Sequence, residues 1–445
     1  MSEQHPLAAA GDHEVADERT SAPVRPREDP FHDGPADLAS LAPGAVIRTR
    51  RVSLGLVGLV PQPGLQAWQV AYRSTDLDGR PEVAVTTVVR PADRPADRPA
   101  DRPGDGSRVR GLIGYQCAID AVSDRCFPSY AMRAGVRAWG ALPQLELILV
   151  GHLVRMGFAV SIADHEGRGG AFAAPREPGH RVLDGLRASL AAPAIGLDPD
   201  LSVGLFGYSG GGMATSWAAE MAPDYAPELP IVGAVLGSPV GDPGEAFLKL
   251  NAGRYAGLPA LVVAGLQHVY PGLARVVREH ANLEGRRRLQ ALEEMTTVAA
   301  IWRYRNDDFD DYLDAPLADV LATPEVLDVF TDLRMGKHAP ACPLLVVQSR
   351  HDQVIDARDV DSQVERYVDA GADVLYLRDR LSEHTSLMVL GFPAMLHWLV
   401  DRFETHGPAT TGTRDHVSLA LSPRAWPEFV RMAASLARTL VGRAA

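Results

Sequence analysis

The stretch at residues 201–221, LSVGLFGYSGGGMATSWAAEM, decides the fold class of this chain. Residues 201–206 form a short apolar run typical of a buried β-strand, and the part from about residue 211 onward is typical of a helix. Between them stands Gly207-Tyr208-Ser209-Gly210-Gly211, a serine held between glycines. A strand, a glycine-rich turn and a helix in this order predict a sharp turn that exposes the serine side chain.

Such a turn puts a serine where it can act as a nucleophile. The glycines leave room beside a strained serine backbone, and the hydroxyl is expected to project from the carboxyl edge of the sheet. The amide of Gly210 would lie at a helix N-terminus, where it can donate to an oxyanion. Ser209 is therefore predicted to be the nucleophile of a serine hydrolase, and the alternative is a glycine-rich turn with an idle serine.

Short apolar segments alternate with helical patterns along most of the chain. Strands are predicted at residues 68–89, which include the hairpin signal Asp78-Gly79, and at residues 109–115, 158–163, 201–206, 231–236, 344–348 and 374–377. Helices are predicted at residues 145–156, 182–190 and 211–221. Short buried strands separated by helices predict an α/β fold, a mostly parallel sheet with helices on both faces.

The alternation stops between residues 239 and 340, where only helical patterns occur. They cover residues 261–267, 273–281, 289–303, 317–321 and 324–333. A helical insertion of this length between two strands of a sheet is predicted to be a cap.

The predicted organisation therefore has four parts. Residues 1–30 are polar and predicted to be disordered, 31–238 form the first part of the α/β core, 239–340 the helical cap, and 341–445 the second part with a C-terminal helix. Residues 90–106 within the first part carry an Arg-Pro-Ala-Asp repeat. Proline at every fourth position opposes helix and strand alike, so a surface loop between two strands is predicted there.

A serine hydroxyl needs a base that a carboxylate orients. After a turn of this kind the order along the chain is serine, acid, histidine. Asp352 follows the predicted strand at residues 344–348 and is the predicted acid, with a turn or N-cap aspartate as the alternative. His384 follows the strand at residues 374–377 and is the predicted base, with a surface histidine as the alternative.

Neighbouring residues compete less well for these roles. Asp356 fits a helix N-cap, His351 stands beside the acid, and His397 falls inside an apolar helix. Glu383 is interpreted as a solvated neighbour of the base, with a residue that tunes His384 as the alternative.

Composition limits the partners. The chain has 445 residues, 46% of them hydrophobic, and a formal net charge of −12. An acidic chain without a long basic stretch is poorly suited to nucleic acid, and no apolar run reaches the roughly 18 residues of a transmembrane helix. Neither a zinc-binding His-Glu-x-x-His run nor a phosphate-binding loop occurs, so no metal and no cofactor are expected. Cys117, Cys126 and Cys342 are interpreted as buried thiols, with a Cys117–Cys126 bond left open.

Several further segments resemble the secretory lipase family, the group that includes the yeast lipase A type. The similar segments are Tyr115-Gln116 with Asp120, residues 126–130, 163–167 (ADHEG), 179–188 (GHRVLDGLRA), 207–211, 218–223 and 225–229. The resemblance covers roughly residues 109–397 and implies an α/β-hydrolase fold, carboxylic esters such as triacylglycerols as substrates, and a cap that shapes an acyl pocket. It also implies that Asp120, or Asp124 if the match shifts, contributes a main-chain amide to the oxyanion hole beside that of Gly210.

Taken together, the sequence predicts a serine carboxylic-ester hydrolase, a triacylglycerol lipase or lipase-like esterase, that acts through an acyl-enzyme on Ser209. An acyltransferase or tailoring esterase with the same triad is one alternative, and a catalytically silent binding module is another. The expected partner is a lipid or other ester, and the cap is compatible with transient contact at a lipid interface. The family is usually secreted, whereas the N-terminal 30 residues show no export signal, so two localisations stay open.

Overall fold

The computed structural model describes residues 15–62, 64–92, 109–405 and 409–440. Within these ranges an eleven-stranded sheet and a separate two-stranded sheet are present. The strands are β1 (Ala16–Asp17), β2 (Val46–Val52), β3 (Gly55–Leu56), β4 (Val60–Pro61), β5 (Leu65–Thr75), β6 (Pro81–Pro91), β7 (Leu112–Gln116), β8 (Ala159–Ala163), β9 (Val203–Tyr208), β10 (Ile231–Gly237), β11 (Leu344–Ser349), β12 (Val374–Asp379) and β13 (Gly412–His416).

The large sheet runs in the order β1-β2-β5-β6-β8-β7-β9-β10-β11-β12-β13. From β8 to β13 every neighbouring pair is parallel. Among the described strands of this large sheet, antiparallel pairing is confined to β2 with β5, β5 with β6 and β6 with β8, and the separate pair β3 with β4 is also antiparallel. The predicted mostly parallel sheet is confirmed, and β2 and β13 are strands that the sequence reading missed.

Helices cover both faces of this sheet. They are α1 (Pro128–Ala131), α2 (Pro143–Arg155), α3 (Glu177–Ala191), α4 (Gly210–Tyr225), α5 (Pro243–Leu250), α6 (Gly257–Leu266), α7 (Pro271–His280), α8 (Leu283–Leu292), α9 (Thr297–Arg303), α10 (Leu317–Leu321), α11 (Pro324–Leu333), α12 (Ala357–Asp369), α13 (His384–Leu390), α14 (Phe392–Glu404) and α15 (Ala425–Leu440). Among the described helices, none combines the length and the apolar composition that a membrane crossing requires.

Alternating residues of the central strands supply two apolar cores. Ile113 of β7 and Leu345 of β11 pack with residues of α2 and α14 on one face. Leu112 and Leu344, one position earlier in each strand, pack with residues of α3, α4 and α12 on the other. Because side chains alternate along a strand, a continuous apolar run buries both faces, and each such side chain contributes roughly 1.5–3 kcal/mol.

The segment between β10 and β11 is helical and runs from α5 to α11. Two further apolar cores join it to the rest of the protein: one combines residues of α6, α8 and α9 with Met213 and Trp217 of α4, and the other combines residues of α7 and α11 with Ala171 and Ala174. The single helix predicted at residues 289–303 is wrong, because α8 ends at Leu292 and α9 begins at Thr297. The hydroxyls of Thr296 and Thr297 donate to the carbonyls of Trp139 and Ile119, at 2.9 and 2.8 Å. These contacts with the core stabilise the break between α8 and α9.

The disorder predicted for residues 1–30 is wrong for residues 15–30. β1 pairs with β2, and the side chain of Arg25 donates to the buried Asp124 and to Glu294, the latter at 2.8 Å. The Arg27 amide donates to Asp124 at 2.9 Å. This polar segment is ordered because its arginine residues bind carboxylates that lie about a hundred or more positions away in the sequence. Residues 1–14, and the Arg-Pro-Ala-Asp repeat from residue 93 onward, lie outside the described residues.

The C-terminal helix α15 is attached to the core through a buried carboxylate. The side chain of Glu428 is fully buried, and its two oxygens lie 2.7 Å from His152 Nε2 and 2.9 Å from His397 Nε2. Arg431 donates to the same carboxylate at 2.6 Å. His397 therefore belongs to this junction between α2, α14 and α15, and not to the region of Ser209.

We expect Glu428→Ala to lower the free energy of unfolding by about 3 kcal/mol or more, because it leaves the buried His152 imidazole and the partly buried His397 imidazole without their acceptor. Thermal and urea unfolding would measure the loss. Glu404→Ala is the matched control, since Glu404 pairs with Arg110 at the surface with 57% of its side chain exposed, and such pairs contribute at most about 1 kcal/mol. Equal losses in the two variants would contradict this role of Glu428.

Candidate active site

The carboxyl ends of parallel strands in the centre of the sheet bring the predicted site residues to one edge. β7, β9, β11 and β12 are parallel, so the segments that follow them leave the sheet on the same side. Ser209 follows β9, Asp352 lies in the loop after β11, and His384 lies just beyond β12. Three residues spread over the sequence therefore share one edge.

The Ser209 backbone has a strained conformation, and close packing holds it in that conformation. Its φ and ψ are 56° and −122°, a conformation that non-glycine residues rarely adopt. A Cβ on Gly207 would lie 2.1 Å from the Gly211 carbonyl oxygen, and one on Gly211 would lie 2.0 Å from that of Gln116. These glycines are therefore needed because the turn packs directly on backbone atoms.

His384 connects Ser209 to Asp352. Its Nε2 lies 2.9 Å from Ser209 Oγ, and its Nδ1 lies 2.7 Å from Asp352 Oδ2. A carboxylate only accepts hydrogen bonds, so Nδ1 carries the proton and Nε2 accepts from the serine hydroxyl. The imidazole is thus in the tautomer that can remove the Ser209 proton.

Asp352 is held by its own loop. Its Oδ1 accepts from the amides of Val354 and Ile355, both at 2.8 Å, and its side chain is fully buried. Oδ2 also accepts from Gln348 Nε2 at 3.3 Å. Asp352 therefore also makes the hydrogen bonds of a turn aspartate, which was the alternative interpretation. Those hydrogen bonds orient its other carboxylate oxygen, Oδ2, towards the His384 imidazole.

The competing residues have other roles. Asp356 caps α12 by accepting from the Arg358 amide, as predicted, and His351 is exposed. Glu383 caps α13 and exchanges hydrogen bonds with Ser386, so it fixes the helix that begins at His384. Tyr208 supports the same point, since its hydroxyl donates to the His384 carbonyl at 2.6 Å.

Asp120 lies beside Gly210, but its amide is already engaged. The Asp120 backbone has φ 47°, and its amide donates to Glu166 Oε1 at 3.0 Å. The predicted pairing of the Asp120 and Gly210 amides towards one oxyanion is therefore not the arrangement seen. Gly210 is the first residue of α4, so its amide has no acceptor inside the helix and remains suited to an oxyanion. The alternative position, Asp124, instead anchors the N-terminal segment.

The Asp120 side chain faces the site. Its Oδ1 lies 1.8 Å from where a Cβ on Gly210 would be, and this oxygen has no hydrogen-bond partner among the described residues. Burial raises the pKa of Asp120 to about 7, with the charge of His384 acting in the opposite direction. Asp120 is thus a buried carboxyl group at the wall of the Ser209 pocket.

Three further buried acids hold the loop after β7 and the helix α1 that follows it, and the sequence analysis assigned them no role. Glu146 accepts from the Tyr115 hydroxyl at 2.8 Å and from the Ala118 amide at 2.9 Å. Asp164 accepts from the amide and hydroxyl of Ser129, and Glu166 accepts from Asp120 as described above. Burial raises the pKa of Glu146 to about 8 and that of Asp164 to about 7. Asp164 and Glu166 are acidic residues immediately after the buried strand β8, and this position was the signal in the sequence that could have indicated their role.

The cysteines take no part in the site. Cys117, Cys126 and Cys342 are free and buried, as the favoured interpretation predicted. Burial raises the pKa of Cys126 and of Cys342 to about 12, which keeps both groups as thiols.

Ser209 lines an apolar cavity. A space of about 50 Å³ lies over it, lined by apolar residues such as Met213 and Leu258. A larger apolar cavity of about 130 Å³ lies within the helical segment between β10 and β11. Pro243, Phe247 and Val262 line both spaces, so the two adjoin.

The chain is similar in sequence and in fold to known lipases. The secretory lipase family matches residues 132–412. A protein of Mycobacterium tuberculosis named "Probable inactive lipase" is 48% identical over 96% of this chain and 93% of its own length. Lipase A of Arthroderma benhamiae is 33% identical over 86% of this chain and 81% of its own. The crystal structure of Candida antarctica lipase A in its closed state superposes with a TM-score of 0.80 at 25% identity, covering 94% of this chain and 96% of that one. This likeness confirms the predicted α/β-hydrolase fold.

The buried acids around the loop predict how stability depends on pH. The pKa of Glu146 is higher in the folded than in the unfolded chain, so the folded state favours the neutral acid. That stabilisation is complete below the unfolded pKa of about 4 and is lost as the pH rises towards 8. We expect Glu146→Gln, which stays neutral, to lose less melting temperature between pH 5 and pH 8 than the unmodified protein.

Scanning calorimetry across this pH range would measure the difference, with the exposed Glu404→Gln as the control. Parallel pH profiles for Glu146→Gln and the unmodified protein would contradict the prediction.

Proposed function

The chain belongs to the secretory lipase family, and on that premise we propose that it hydrolyses carboxylic esters through an acyl-enzyme on Ser209. The observation that carries the proposal is the hydrogen-bonded series from Ser209 through His384 to Asp352, with 2.9 and 2.7 Å between the bonded atoms. An imidazole in this tautomer, held by a buried carboxylate, can serve first as a base and then as an acid.

In the first half of the proposed reaction, His384 Nε2 takes the Ser209 proton while Oγ attacks the ester carbonyl carbon. The negative charge that develops on the carbonyl oxygen is stabilised by the Gly210 amide, and one such donor typically contributes about 2.7–4 kcal/mol. The imidazolium then gives its proton to the alkoxide, the carbon–oxygen bond breaks, and the alcohol leaves. In the second half water replaces the alcohol, and the acid is released.

The second oxyanion donor remains a prediction. For the Asp120 amide to serve, it would have to turn from Glu166 towards the substrate oxygen, since it donates to that carboxylate in this structure. A substrate oxygen would then compete with a buried carboxyl group for the same hydrogen.

The apolar cavities support a lipid acyl chain as the part of the substrate beside Ser209. We infer that the helical segment, predicted at residues 239–340, acts as a cap, and that the larger cavity within it receives the far end of a long chain. An acyl chain offers only apolar surface, which matches the apolar lining of both cavities.

A second candidate function is a catalytically silent binding module on the same fold. It is favoured by the name of the M. tuberculosis relative, "Probable inactive lipase", at 48% identity. The two candidates differ in whether Ser209 reacts, so a covalent probe of the serine separates them.

We expect a fluorophosphonate probe to label the unmodified protein at Ser209, because His384 activates the hydroxyl. Ser209→Ala should abolish labelling and lower hydrolysis of p-nitrophenyl butyrate by about 10⁴-fold or more, with unchanged folding. His351→Ala is the matched control, because His351 is exposed and outside the hydrogen-bonded series. Absence of both labelling and turnover in the unmodified protein would establish the silent module. Ester products formed with an added alcohol would instead indicate an acyltransferase.

We expect Val262→Phe to narrow the passage between the two cavities and to change chain-length preference. The ratio kcat/KM should fall about tenfold or more for p-nitrophenyl palmitate and little for the butyrate, because only the long chain would extend past residue 262. Val368→Phe, at an exposed position of α12, is the control. An equal change for both esters would show that the larger cavity does not receive the acyl chain.

A further inference from the structure

The side chain of Gln353 connects the loop of Asp352 with the helix that begins at His384. Gln353 is the residue directly after Asp352, in the loop that follows β11. Its Oε1 accepts from the His384 amide at 3.3 Å, and its Nε2 donates to the Glu383 carboxylate. A single glutamine therefore contacts the start of α13 from the loop that carries the predicted acid.

The hydrogen bond to Glu383 is made to a charged group. Glu383 is the N-cap of α13 and accepts from the Ser386 amide at 3.0 Å. The hydrogen bond from Gln353 is the largest of the effects that lower the pKa of Glu383, so this carboxyl group is ionised at neutral pH. Hydrogen bonds to an ionised acceptor are roughly twice as strong as those between neutral groups. The contact between Gln353 and the cap of α13 is consequently a strong one.

The backbone of His384 is held at both of its polar groups. The Tyr208 hydroxyl donates to the His384 carbonyl at 2.6 Å. The His384 amide is in the first turn of α13, where an amide has no acceptor inside the helix. Gln353 supplies the missing acceptor, so it fixes the end of the helix from which the imidazole projects.

The loop of Asp352 has other supports that do not involve the Gln353 side chain. Asp352 Oδ1 accepts from the amides of Val354 and Ile355, which are both buried. Lys249 of α5 donates to the Asp352 carbonyl at 3.1 Å. Loss of the Gln353 side-chain contacts should therefore leave this loop folded and loosen only its connection to His384.

We propose that Gln353 is a positioning residue that fixes His384 relative to Asp352 and so keeps the imidazole Nδ1 bonded to Asp352 Oδ2. These two atoms lie 2.7 Å apart, and a misplacement of about 1 Å in such a geometry can lower the rate about 100-fold. Gln353 is not among the residues that line the two apolar cavities, so it acts through His384 and not through the acyl chain. Its effect on turnover rests on the proposed function, whereas the hydrogen bond is measurable without substrate.

The first test compares the unmodified protein with Gln353→Met, which keeps the length of the side chain and removes both hydrogen bonds. The downfield region of the proton NMR spectrum would show the His384 Nδ1 proton, identified by its loss in His384→Ala. We expect this signal to move upfield or to broaden beyond detection in Gln353→Met. The kcat for p-nitrophenyl butyrate should fall about tenfold, with KM changed less than about twofold.

A reciprocal exchange of side chains gives a second, independent test. Gln353→Glu places a carboxylate against Glu383, so kcat should fall at least as far as in Gln353→Met. In Gln353→Glu/Glu383→Gln the donor and the acceptor are exchanged, and an oxygen remains for the His384 amide. We expect this double variant to recover kcat to within about threefold of the unmodified protein.

Gln62→Met is the matched control. Gln62 is a buried glutamine beside the separate two-stranded sheet, and its Nε2 donates to the Val60 carbonyl at 2.9 Å. This variant should lower the melting temperature and leave both the NMR signal and kcat unchanged. An unchanged signal and kcat in Gln353→Met, equal losses of kcat in Gln62→Met and Gln353→Met, or no recovery in the exchanged pair would each overturn the role of Gln353.

The outcomes distinguish this role from the proposed function. If the unmodified protein turns over no ester, the proposed function fails, and the NMR signal in Gln353→Met still decides whether Gln353 positions His384. If the unmodified protein is active and Gln353→Met keeps both the signal and kcat, only the role of Gln353 fails.

Discussion

The site depends on the close packing of the turn around Ser209 against the backbone of the loop that follows β7. Added Cβ atoms at Gly207, Gly210 and Gly211 would overlap the turn itself, Asp120 and Gln116. This contact fixes the strained serine, starts α4 at Gly210 and sets how near the Asp120 loop lies. The cost of the strained serine backbone, of order 1–3 kcal/mol, is offset by the two apolar cores on either face of the sheet.

That loop is held in turn by acidic side chains that are buried, although acidic side chains are usually exposed. Glu146 and Glu166 accept backbone amides from the loop, Asp164 accepts one from α1 directly after it, and burial raises the pKa of all three. Buried carboxyl groups are unfavourable unless they are hydrogen-bonded or neutral. The shape of the loop therefore depends on the protonation state of these buried carboxyl groups. The position of Asp120 consequently depends on pH as well as on packing.

The helical segment between β10 and β11 joins the same loop from outside. Thr297 donates to the Ile119 carbonyl in the loop, and Thr296 donates to the Trp139 carbonyl between α1 and α2. Arg25 and Arg27 of the N-terminal segment connect Asp124 with Glu293 and Glu294. Nucleophile turn, loop, helical segment and N-terminal segment are consequently one connected unit. The apolar cavities lie inside this unit, so they belong to the part of the molecule that surrounds Ser209.

The parallel sheet, the helical segment and the order of Ser209, Asp352 and His384 could be predicted from the sequence, because each of these follows from a local pattern. Strands, turns and helix caps depend on neighbouring residues, and parallel strands necessarily present their carboxyl ends at one edge. Only the tertiary structure decided that residues 15–30 are ordered, that the helix predicted at residues 289–303 breaks, and that Glu166 takes the Asp120 amide. These features depend on partners tens to hundreds of positions away, and a hydrogen bond between such residues leaves no periodic trace in either segment.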